Sequence, residues 1–112
     1  MFQIINSFRE LHGRSRVWNW DSLVSGYCEE HSRAMANCGE LYHADQSLLN
    51  GWSEIVAKVS YSGENFDIIK SRLVYDVIGR SEGHKAILLN SSIIAHALVV
   101  ANGWVYATIR GR

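Results

Sequence analysis

The sequence predicts a single α+β domain over residues 1–112, a sheet covered by helices and closed by a C-terminal β-hairpin. Three observations carry that expectation. Apolar residues recur at helical spacing in the segments before Leu89, the last third changes to an almost unbroken apolar run, and Asn102-Gly103 interrupts that run.

Phe2, Ile5, Phe8 and Leu11 stand three residues apart, Ile4 widens the stripe and Gly13 follows as a stop, so Phe2 to Leu11 reads as an amphipathic helix. Trp18 and Trp20 lead to Asp21 or Ser22 as the cap of a second helix. In this longest helix Leu23, Tyr27, Ala34, Met35 and Cys38 repeat until Gly39. From Glu40 to Gly63 the pattern weakens, although Ile55-Val56-Ala57 with Val59 and Tyr61 reads as a short strand ending at Ser62-Gly63. Phe66, Ile69, Leu73 and Val77 mark a third helix ended by Gly79, and Ser81 to Leu89 forms a shorter helical piece. Residues 93–101 are almost wholly apolar, Asn102-Gly103 tolerates the two positive φ angles of a tight hairpin, and Trp104 to Ile109 returns as the partner strand. Proline is absent, so every turn relies on Gly, Asn, Asp and Ser.

A length of 112 residues suits one domain and is too short for two. With 47% hydrophobic and 20% charged residues the chain has ordinary globular chemistry and is expected to fold as a soluble domain. Eleven basic residues balance eleven acidic ones, which leaves no strong field for phosphate backbones or anionic lipid, so nucleic acid is not an expected partner. No stretch approaches the roughly 20 apolar residues of a membrane span, and the N-terminus lacks the basic, apolar and small-residue succession of an export signal. Cys28 and Cys38 fall in one expected helix, whose rise separates them by ~15 Å. A disulfide needs Cα atoms within about 7 Å, so two free thiols are expected.

Of the five histidines, His43 and His84 have surroundings that suggest a shared site. His43 stands in Leu41-Tyr42-His43-Ala44-Asp45, where a connection would present it at a sheet edge, or is simply a surface histidine in a turn. His84 follows Gly83, a glycine that suggests close backbone approach or a special turn, or it opens a short helix. His31 lies mid-helix beside Glu29, Glu30 and Arg33, where a structural hydrogen bond is the better reading. Cys28 sits three residues before it, but a nucleophilic cysteine needs access and an electropositive setting that mid-helix packing does not offer. His96 reads as a sheet residue and His12 as a helix-end surface residue. No HExxH, CxxC pair, P-loop, GxGxxG or GxSxG occurs, so local motifs name no reaction.

The ordered series Ile5-Asn6-Ser7-Phe8-Arg9 with His12-Gly13, Trp20-Asp21, Glu30-His31-Ser32-Arg33-Ala34-Met35-Ala36, Tyr42-His43-Ala44-Asp45 and Ser81-Glu82-Gly83-His84-Lys85-Ala86-Ile87-Leu88-Leu89-Asn90 resembles the CAP superfamily. That group takes in cysteine-rich secretory proteins, insect venom antigen 5 and plant pathogenesis-related proteins, and its bacterial single-domain branch is the most similar. The resemblance covers nearly the whole chain. Departures are Ser81-Glu82-Gly83-His84 in place of Ser-Pro-Gly-His, Ile78 where a tryptophan is usual, and Ala86 running straight into Ile87 without the usual Asn.

The resemblance implies a three-layer α-β-α sandwich with a central cleft of two histidines and usually two acids, sometimes holding zinc or another divalent metal. His43 and His84 match the two histidine positions. For the first acid, Ser53-Glu54-Ile55-Val56-Ala57 supplies an acid and a strand, while Gly63-Glu64-Asn65 supplies the family's Gly-Glu-Asn tripeptide but runs directly into a helix. Glu54 is favoured because a strand must separate that acid from the third helix, with Glu64 as the alternative. Asp76, at the end of the third helix, is a candidate for the second acid or a solvated helix charge, and Glu82 beside His84 could alter its charge state or add a ligand. Two functions follow from the resemblance. One is a domain binding a small apolar ligand or a protein partner, and the other a zinc-assisted hydrolase or peptidase using His43, His84 and Glu54. A secreted or cell-envelope setting is also implied.

Overall fold

A helix at each expected segment and strands at the expected runs emerge in the computed structural model, which describes residues 1–112. The elements are α1 (Phe2–Leu11), β1 (Asn19–Trp20), α2 (Ser22–Cys38), a 3₁₀ turn (Gln46–Leu48), β2 (Ser53–Ser60), α3 (Phe66–Ser71) with a π-helical continuation (Arg72–Ile78), α4 (Glu82–Asn90), β3 (Ile93–Ala101) and β4 (Trp104–Gly111). Asp21 is the cap of α2, its carboxylate accepting from Val24 N at 2.9 Å, and Gly39 ends the helix in the left-handed region at φ 72°. Asn102 and Gly103 take φ 52° and 80°, the pair of positive angles a tight hairpin turn requires.

The four strands form one sheet in the order β1-β3-β4-β2. β3 and β4 are the antiparallel hairpin, β2 pairs antiparallel with the outer side of β4, and β1 adds two residues parallel to β3. Strand β1 is too short to show a period, so spacing predicts nothing there beyond the Trp18 and Trp20 lead-in. The second strand also begins two residues before Ile55 and stops before Tyr61.

Alternate residues of the strands enter different clusters. Ile55, Ala57 and Val59 of β2 and Val105, Ala107 and Ile109 of β4 join Ile5 and Phe8 of α1, Leu88 of α4 and the α3 segment in the main core. Tyr106 of β4 instead packs with Met35 and Ala36 of α2, against Val56 and Val99. Ser32 of α2 bonds Thr108 of β4 at 2.8 Å in this second layer of contacts. Four helices and a four-stranded sheet in this arrangement are compatible with an α-β-α sandwich.

The π-helical turn changes one expectation. Spacing from Leu73 pointed Val77 inward, but Ile78 is fully buried and Val77 is exposed. The wider turn, seen in the Gly79 N to Val74 O bond at 2.8 Å, rotates the face by one residue. Gly79 then ends the segment for reasons of space, since a Cβ there would sit 2.9 Å from Phe8 Cε1 and from two carbonyl oxygens. Buried Arg9 fixes α4 from beneath, donating to Leu88 O at 2.5 Å and Ser91 O at 3.0 Å, carbonyls at the helix end that would otherwise lack partners.

His96 lies in β3 with its ring edge-on to Trp20 at 5.8 Å. Burial, aided by the N-terminal ammonium and Lys70, pushes its pKa down to about 4. Glu29 shares the same depression without reversing that effect. The folded chain therefore keeps His96 neutral where the unfolded chain protonates near 6.5. Stability is full above 6.5 and is lost as pH falls toward about 4, by at most roughly 3 kcal/mol. Urea unfolding of wild type and His96→Gln at pH 7 and pH 4.5 should show a smaller acid loss in the variant. Equal losses would contradict this origin of the acid sensitivity.

Candidate functional site

Glu54 is the second residue of β2 and only 6% exposed. A buried carboxylate stays charged only with close donors. The β2/β4 register sets Arg110 directly opposite it, on the same side of the sheet. Arg110 Nε and Nη2 meet Glu54 Oε2 at 3.0 and 2.9 Å, with Arg110 itself 5% exposed. The other carboxylate oxygen, Oε1, accepts from Ala44 N at 2.9 Å and from His43 Nδ1 at 3.0 Å.

These bonds fix the connection between α2 and β2. Asp45 accepts from Ser47 N at 3.2 Å, and His31 Nε2 donates to Tyr42 O at 2.7 Å. Because a carboxylate can only accept, His43 must carry a proton on Nδ1. When that imidazole is neutral its Nε2 lone pair is free, and the side chain is more than half exposed. His84 lies in the first turn of α4. Partial burial and then the charge of His43 hold its pKa below the ordinary imidazole value. The first of these imidazoles, His43, is backed by Glu54.

The other acids lie elsewhere. Glu64 stands in the turn beyond the far end of β2, about 20 Å of strand from Glu54. Its carboxylate accepts from Ser62 N at 2.6 Å and Ser62 Oγ at 2.9 Å, which draws its pKa down to about 2. Asp76 is exposed and borders a different surface depression with Asp67, Arg72 and Tyr75. Glu82 is exposed in the first turn of α4, where its charge suits the helix dipole. Gly83 corrects one expectation, because it lies inside α4 with negative φ and open space where a Cβ would be, so it serves neither close approach nor a special turn.

Cys28 is fully buried, and desolvation pushes its thiol up to about 11, which removes any thiolate partnership with His31. Cys28 and Cys38 are both free thiols. Sequence reasoning missed Arg110, a lone arginine beside Gly111-Arg112 near the chain end. The available signal was the need of a buried acid for a cation.

The donor set speaks against a three-ligand zinc centre. No three of the His, Cys, Asp and Glu side chains converge as a metal site, and both Glu54 oxygens are engaged by Arg110, Ala44 and His43. Catalytic zinc sites use three protein ligands, and in this geometry Glu54 orients His43 instead of standing free as the third.

No family model matches the sequence, and no curated protein matches it. Solved structures do. An outer surface protein from Borrelia burgdorferi aligns with a TM-score of 0.71 at 15% identity, over 99% of this chain and 88% of that one. NaASP2, crystallised with Zn²⁺, aligns with a TM-score of 0.64 at 11% identity, over 98% of this chain and 75% of that one. The likeness is one of fold. It is consistent with the CAP-like architecture that the sequence resembles.

Arg110→Met should destabilise the protein by about 3–5 kcal/mol, because it leaves Glu54 charged and buried. The double variant Glu54→Leu/Arg110→Met should lose less than the single one in urea unfolding. A double variant as unstable as Arg110→Met would show that the pair is not what the site depends on.

Proposed function

We propose that this chain is a CAP-like binding domain, a three-layer sandwich that takes a small apolar ligand or a protein partner through the cleft of His43, Glu54 and His84. The observation that carries this reading is the full engagement of Glu54. With its oxygens committed, the site keeps two imidazoles as free donors and lacks a carboxylate to act as a third ligand or as a general base. That donor set supports a modest divalent-ion site better than a hydrolytic zinc centre. The zinc in the NaASP2 crystal supports testing that ion first, and the name of the Borrelia neighbour supports a secreted or cell-envelope setting. No helix is long and apolar enough to cross a membrane.

Calorimetric titration with zinc chloride at pH 7.5 should show weak, saturable binding that His43→Ala and His84→Ala each abolish, with no cleavage of a peptide library. Undiminished binding in both variants would overturn the histidine pair, and no binding to wild type would remove the metal from the reading. Zinc-dependent cleavage lost in His84→Ala would favour the hydrolase instead.

A further inference from the structure

A groove of about 560 Å³ runs between α2 and the 44–50 connection. Tyr27, Glu30, His31 and Ala34 line it at i, i+3, i+4 and i+7, one face of α2. Ala44, Ser47 and Leu48 form the other wall, and Arg110 reaches it from the sheet. The volume is that of a small-molecule site.

Two features select an occupant. Arg110 engages Glu54 through Nε and Nη2, while Nη1 makes no hydrogen bond within the protein. No buried side-chain polar atom lacks a partner, so Nη1 keeps an opening, and the groove is where Arg110 meets open space. The charge on Arg110 is already balanced by Glu54, and Glu30 adds a negative charge to the wall. An anion gains little there, whereas a neutral carbonyl oxygen can accept from Nη1 without meeting Glu30 as a like charge. Tyr27 and Leu48, 48% and 68% exposed, offer apolar surface on either wall. The walls are also fixed before any ligand arrives, by the His31 bond to Tyr42 O and the Ala44 bond to Glu54.

We infer that this groove binds a small neutral carbonyl compound, an amide or ketone on an apolar body, with its oxygen on Arg110 Nη1 and its body between Tyr27 and Leu48. The inference goes beyond the histidine cleft and requires no metal.

The test is a titration of ¹⁵N-labelled protein with N-benzylacetamide, and with 3-phenylpropionate as its anionic counterpart. The amide should give saturable shifts at Tyr27, Ala34, Ser47 and Leu48, and bind several-fold more tightly than the carboxylate. Arg110→Lys, which keeps a cation for Glu54 but removes Nη1, should weaken the amide roughly tenfold, the loss of one hydrogen bond. Should that variant misfold, Ala34→Trp, which fills the groove from a half-buried position on the groove-lining face of α2, should abolish amide binding while leaving the zinc titration at His43 and His84 unchanged. Tighter carboxylate than amide binding, shifts confined to other surfaces, or undiminished amide binding to Ala34→Trp would each overturn the inference.

Discussion

A single buried carboxylate sets the geometry around it. Glu54 cannot remain ionised at 6% exposure without donors on both oxygens, and the chain supplies them from two distant segments. Arg110 arrives by strand register, directly across the β2/β4 ladder. Ala44 and His43 arrive because the connection after Gly39 folds back over the start of β2. A one-residue slip of that ladder would send Glu54 and Arg110 to opposite faces, so the polar pair and the apolar alternation of Ile55, Ala57 and Val59 enforce the same register.

The sheet divides labour between its faces. One carries the main core against α1, the α3 segment and α4, and Arg9 ties α1 to the C-terminal end of α4. The other carries α2, with Met35, Tyr106 and the Ser32–Thr108 bond, and beyond them Glu54 and Arg110. His43 stands on the connection, bonded to Glu54 of β2, and His84 stands at the start of α4, which packs against β2. Rigid elements thus hold Glu54, Arg110 and His84, and a tethered loop holds His43.

Much of the fold was legible because its signals are local. The stripe of α1, the Asp21 and Gly39 boundaries of α2 and the Asn102-Gly103 turn each depend on a few adjacent residues. The π-helical turn was not, since the shift from Val77 to Ile78 arises from a hydrogen-bond slip that spacing does not encode. Strand β1 exists only through pairing with Ile93 and Ile94, which no two-residue pattern reveals. At the candidate site, the ordered resemblance pointed to His43, His84 and Glu54, while Arg110 stayed hidden because its importance lies in a cross-strand partner 56 residues away.

The central claim is that Glu54 orients His43 instead of binding a ligand itself. Long-range ¹H–¹⁵N correlation of the His43 ring in the wild-type protein at pH 8 tests it most directly, because the claim fixes the tautomer. The proton should reside on Nδ1, with Nε2 unprotonated. A ring protonated on Nε2, with a bare Nδ1, would contradict the Glu54 bond and with it the account of the site.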